Sequence, residues 1–245
     1  MKSLQHLDLY GNAFGGGFSS CFGKISNLKS LQVSFCSLHV QLSQIMKYLS
    51  CMTDSLEYLN LERNYIGSSL PDVLANFSSL RELRLGFNEL NGSIPRAVGK
   101  LPRLALLDLS SNEIVGSIPD LLPLSSLREL DLSHNQLSGL TESMDAFPNL
   151  RSYTSILTIS SDWIPPFQLD IIRLTHCKLG PHFPNWLRDQ NNIFVLDLSA
   201  AGILGNIPSS QRMIYLEPKN ALLGAKDALL GAKDALLGAK NVEEN

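Results

Sequence analysis

The chain is short of charge. Only 18% of its 245 residues are Asp, Glu, Lys or Arg, and the formal net charge is −3. A nucleic-acid surface, or electrostatic attachment to an anionic membrane, needs a basic excess that is missing. No apolar run approaches the ~20 residues of a spanning helix. The opening residues, Met1-Lys-Ser-Leu-Gln-His-Leu, lack the apolar stretch and small-residue cleavage site of a secretory leader. Cysteine is scarce as well. Cys21, Cys36, Cys51 and Cys177 form no C-x-x-C pair, which argues against zinc-ribbon or thioredoxin-type chemistry.

Leucine, by contrast, recurs with a period. Leu80, Leu83, Leu85, Asn88, Leu90, Gly92, Ile94 and Pro95 come back 24 residues later as Leu104, Leu107, Leu109, Asn112, Ile114, Gly116, Ile118 and Pro119. The pattern L-x-x-L-x-L-x-x-N at this period marks a leucine-rich-repeat solenoid. Its anchors are Leu4, Leu28, Leu56, Leu80, Leu104, Leu127, Leu169 and Ile193, at spacings of 24, 28, 24, 24, 23, 42 and 24. The second and third leucines of a unit lie two apart, so both face one side of a short strand. Strands that repeat in one direction pair in parallel, each pair joined by a crossover of a dozen or more residues. The expected fold is an α/β repeat solenoid. A horseshoe carries a parallel β-sheet on its concave face and a mostly irregular or 3-10 convex side.

About eight to nine units are expected over residues 1–210, with an irregular stretch at 140–168 where one step has grown to 42. There Trp163-Ile-Pro165-Pro166-Phe167 interrupts regular structure, because two prolines remove donors and fix φ. The asparagine of each unit is expected to turn inward and bond backbone that no ladder satisfies. Cys36 and Cys177 occupy that slot in two units and Ala201 in another, so the two thiols are expected to be reduced core residues. Cys21 and Cys51 precede their next anchors by 7 and 5 residues, an offset that disfavours a disulfide between them. From 211 to 245 the chain changes to Ala-Leu-Leu-Gly-Ala-Lys-Asp heptads. Leucine at every seventh residue favours a helix and Gly224, Gly231 and Gly238 oppose it, so this tail is expected to be helical or disordered.

Residues between the leucines point away from the core, onto the face where solenoids bind. One column there reads Asp8, Gln32, Asn60, Arg84, Asp108, Asp131, Arg173 and Asp197, and its aspartates are expected to be solvated. Phe35, Arg63 and Phe87 share a second column, with Tyr58, Glu62, Glu82 and Arg84 beside it. Exposed aromatics flanking arginine suit a peptide or protein partner, and these seven residues are the candidate contact site. Catalysis is not expected. His6, His39, His134, His176 and His182 fall in different segments, and no spacing implies a nucleophile–base pair. His176 and Cys177 diverge by register, so no metal or cofactor site is expected there. The acids, one per strand, are expected to titrate normally.

The segment Leu90-Asn-Gly92-Ser-Ile94-Pro95 carries L-x-G-x-I-P, which resembles the plant subfamily of leucine-rich repeats. Ser50-Cys51-Met-Thr-Asp-Ser-Leu56 and Trp163-Ile-Pro-Pro-Phe-Gln-Leu169, followed by Cys177 to Leu187, resemble receptor-like proteins of the xylanase-sensing kind and receptor-like-kinase ectodomains. The resemblance implies a truncated piece of a cell-surface ectodomain in defence or developmental signalling. It implies a peptide or protein ligand, a receptor-like-kinase co-receptor as a further partner, and a place at the extracellular side of the plasma membrane. It makes the sequons at Asn76 and Asn91 glycosylation candidates. Two alternatives stand beside it: a soluble decoy or regulatory repeat protein, and a truncated gene product without function.

Overall fold

The computed structural model describes residues 3–14, 25–119, 121, 124–140, 168–179, 183, 187, 190 and 192–204. The chain divides after Ser209 into two units, and the second, with the heptad tail, lies outside the described residues. So do Cys21, His182 and the irregular stretch 141–167.

In chain order the strands are β1 (His6–Asp8), β2 (Ser30–Gln32), β3 (His39–Gln41), β4 (Tyr58–Asn60), β5 (Tyr65–Ser68), β6 (Glu82–Arg84) and β7 (Glu89–Leu90). They continue as β8 (Leu106–Asp108), β9 (Val115–Ile118), β10 (Glu129–Asp131), β11 (Gln136–Leu140), β12 (Ile171–Arg173) and β13 (Val195–Asp197). Eight of them form one sheet in the order β1-β2-β4-β6-β8-β10-β12-β13. Every neighbouring pair is parallel and in register, so Asp8, Gln32, Asn60, Arg84, Asp108, Asp131, Arg173 and Asp197 stand in one row. This is the expected leucine-rich-repeat solenoid.

The leucines make the core. Leu28, Leu56, Leu80, Leu104, Leu127 and Leu169 are fully buried, each covered by the repeat on either side. At about 1.5–3 kcal/mol per fully buried large apolar side chain, this stacking is the main stabilising term. Leu4, Leu7 and Leu9 of the first described repeat are only partly buried against the same core. On the far side from the sheet, the chain returns through 3-10 turns at Asp72–Asn76 and Arg96–Lys100. The 28-residue step holds a true helix, α1 (Leu42–Tyr48), which buries Leu42, Ile45 and Met46.

The slot residues act as a second spine. Asn112 Nδ2 donates to Leu85 O, Leu109 O and Ser110 O, each at 3.0 Å, and its Oδ1 accepts the Leu90 N–H at 2.9 Å. Asn64, Asn88 and Asn135 repeat the arrangement. Cys36 donates its S–H to Leu9 O at 3.0 Å and Cys177 to Leu132 O at 3.3 Å, both fully buried. A thiol there keeps a donor and gives up the acceptor. Burial pushes the Cys177 thiol up to about 12.

Two smaller parallel sheets, β3-β5-β7 and β9-β11, were not foreseen. They are built from the residues that follow the slot residue, Cys36 before β3 and asparagine before the others. Strands of two to five residues leave little alternation for a sequence pattern to reveal.

Candidate functional site

The open face of the eight-stranded sheet carries the candidate residues. Tyr58 and Glu82 pair across β4 and β6, and Arg84 lies two residues beyond Glu82 on the same side. Arg84 Nη2 meets Glu82 Oε2 at 3.2 Å, an ion pair between half-exposed groups. Burial opposes the Arg84 charge, but the hydrogen bond and charge of Glu82 outweigh it and hold its pKa above the ordinary value. Asn60 Nδ2 donates to Tyr58 Oη and to Glu62 Oε2, both at 3.2 Å, tying these two candidates together.

Phe35, Arg63 and Phe87 stand at the turn just beyond the strands, at the eighth position of their repeats. That position has a fixed backbone. Gly11, Phe35, Arg63, Phe87, Ser111, His134, His176 and Ala200 all take φ between 52° and 70°. The left-handed conformation lets each turn donate its N–H to the next repeat, as Phe35 does to Glu62 O, Arg63 to Gly86 O and Phe87 to Ser110 O. Glycine or asparagine holds it with least strain, and a bulky residue pays about 1–2 kcal/mol. Phe35 and Phe87 hold it while 57% and 46% exposed. Phe35 stacks on Tyr10 with centroids 6.3 Å apart, and the Arg63 guanidinium lies 4.2 Å from the Phe87 ring centroid. The result is a ladder of ring, ring, cation and ring along one edge of the sheet. Tyr10, one position earlier in its repeat, was missed as a member; being an exposed aromatic beside the ladder was the available signal.

The expectation that the acids titrate normally is wrong for Glu62. Its pKa is raised to about 7, first by burial and then by the charge and hydrogen bond of Asp108. Glu62 and Asp108 sit two strands apart, and Gly86 lies between them. A Cβ on Gly86 would stand 3.0 Å from Asp108 Oδ1, so the missing side chain is what lets the two carboxyls meet. Asp108 and Asp131 are also more than solvated filler. Each accepts from the serine two residues on, through Ser110 Oγ at 2.7 Å and Ser133 Oγ at 2.6 Å. Burial nonetheless leaves the Asp131 pKa raised. Asn76 and Asn91 are both exposed.

Leucine-rich-repeat family models match residues 54–114, 3–25 and 126–150. Those segments carry leucine-rich repeats. Its curated relatives are plant receptor-like proteins. Over 86 residues it is 45% identical to the receptor-like protein EIX1 of Solanum lycopersicum, covering 35% of this chain and 7% of that one. Over 79 residues it is 38% identical to receptor-like protein 14 of Arabidopsis thaliana, covering 31% and 8%. This repeat protein therefore spans a small part of the length of those relatives. Among solved structures, the Arabidopsis receptor kinase HAESA ectodomain, in complex with an extended IDA peptide hormone, matches with TM-score 0.62 and 27% identity. That match covers 80% of this chain and 29% of the other. A plant ice-binding protein shares the fold at TM-score 0.60 and 22% identity, over 80% and 56% of the two chains. The repeat fold by itself thus does not choose a ligand. Among the described residues no helix is long and apolar enough to cross a membrane.

Proposed function

We propose that the chain is a peptide- or protein-recognition module, not an enzyme, within the ectodomain of a plant cell-surface receptor-like protein, acting in defence or developmental signalling. The ligand lies along the ladder of Phe35, Arg63 and Phe87, with Tyr58, Glu62, Glu82 and Arg84 reading its polar groups. The observation that carries this reading is the backbone strain. Three bulky residues hold a left-handed turn position while exposed to solvent, where glycine or asparagine would be less strained. Strain kept on an exposed surface points to selection for contact. A receptor-like kinase is the expected co-receptor, the plasma membrane's outer side the expected location, and Asn76 and Asn91 the expected glycan acceptors. The repeat array of 1–210 carries the recognition, and the 211–245 heptads form a separate tail.

Panning a displayed peptide library on the full chain tests this. Selected peptides should bind the Phe87→Ala, Arg63→Ala double variant at least tenfold more weakly, with its melting temperature within a few degrees of the parent. Peptides that bind parent and variant alike would remove the ladder from the account.

A further inference from the structure

The same turn position that carries the ladder carries two histidines farther along the sheet. His134 and His176 follow β10 and β12, which are paired neighbours. Their rings face each other with centroids 4.8 Å apart and planes tilted by 31°. Both side chains are exposed. Both backbones are fixed, at φ 54° and 61°. His134 donates its N–H to Thr175 O at 2.8 Å, and His176 donates its own to Ser199 O at 2.9 Å. Only the side-chain torsions remain free.

Imidazole nitrogen is a good ligand for Zn2+, Cu2+ and Ni2+. Two nitrogens on one ion, each bonded at about 2.0 Å and at a right angle, lie about 3 Å apart. Rings rising from equivalent positions of strands ~4.8 Å apart reach that separation by turning about their own side-chain bonds. Burial of neither ring opposes the turn. We propose that His134 and His176 form a two-histidine site for a divalent transition-metal ion at the edge of the sheet.

The neighbours define the class of ion. Neither ligand is a carboxylate, so Ca2+ and Mg2+ are disfavoured. Cys177, next in sequence, is no ligand, because its thiol is buried against Leu132 O. Among the described residues no three or more of His, Cys, Asp and Glu converge, so the ion keeps open positions for water or for a donor from a bound molecule. His39 provides an internal contrast. It stacks on Tyr65 at 4.4 Å, and a phenol does not complete a pair of imidazoles.

Titration of the tag-free full chain with Cu2+, Ni2+ and Zn2+ tests the site, by calorimetry and by Cu2+ electron paramagnetic resonance. One equivalent of Cu2+ should bind with nitrogen hyperfine structure, and Zn2+ should compete with it. His134→Asn or His176→Asn should each weaken binding by about a hundredfold, the gain expected from holding two ligands together. Asparagine tolerates the left-handed backbone, so both variants should fold. His39→Asn should bind as the parent does. In the parent, substoichiometric Cu2+ should broaden the ring resonances of His134 and His176 before those of His6 and His39. Equal titrations of the parent and the His134→Asn and His176→Asn variants, or equal broadening of all four rings, would overturn the proposal.

Discussion

Replacing Asn112 by alanine removes four hydrogen bonds at once, and their consequences differ. Leu85 O keeps a second donor in Asn88 Nδ2, Leu109 O keeps Asn135 Nδ2, and Ser110 O keeps the Phe87 N–H. Those three carbonyls stay satisfied, so each lost bond is worth about 0.5–1 kcal/mol. The Leu90 N–H is different, because Asn112 Oδ1 is the acceptor it has in a fully buried position. Leaving it unpaired adds about 1–3 kcal/mol. The sum is about 2.5–6 kcal/mol. Asn112→Cys should fall between parent and alanine, since Cys36 and Cys177 show a thiol still reaching the neighbouring carbonyl. Urea unfolding gives the energies. Amide exchange at Leu90 gives the site. A loss under ~1 kcal/mol, with Leu90 exchanging as slowly as in the parent, would refute the spine argument.

The raised pKa of Glu62 has a definite sign. The folded protein holds this proton from its ordinary 4.5 up to about 7, so the stability it contributes is complete below 4.5 and is lost as pH rises to 7. After discounting for partial exposure the effect is about 1–2 kcal/mol, and Glu62→Gln should flatten this part of the stability–pH curve; an unchanged curve contradicts the assignment. Phe35→Asn should raise stability by about 1 kcal/mol, because relief of the left-handed strain exceeds a Tyr10 stack at the long end of its range. The same change should weaken binding of selected peptides, and a loss of stability would count against the strain reading. Expression through a secretory pathway should add glycans at Asn76 and Asn91, seen as a mass shift that endoglycosidase removes and that Asn76→Gln and Asn91→Gln each reduce; an unmodified chain would dismiss both sites.

Much of this was legible in the leucines. Their spacing alone places β1, β2, β4, β6, β8, β10, β12 and β13 in one parallel sheet, and the slot cysteines are buried as their register requires. The column holding Phe35, Arg63 and Phe87 was legible for the same reason. Its backbone was not, because Gly11 is the one glycine among eight residues sharing the left-handed turn. The Glu62–Asp108 contact depends on what Gly86 lacks, and a strand pattern does not measure reach across two strands. The 42-residue step separates His134 from His176 in sequence, so their adjacency appears only once β10 and β12 are paired.

The central claim is that the open face of the sheet does the recognising. Chemical-shift mapping of a selected peptide on the full chain, with labelled phenylalanine rings and arginine Nε groups, tests it most directly. Shifts concentrated at Phe35, Arg63, Arg84 and Phe87 are the predicted result. Shifts confined to Phe77 and Arg96, at the 3-10 turns on the opposite side of the repeats, would contradict it.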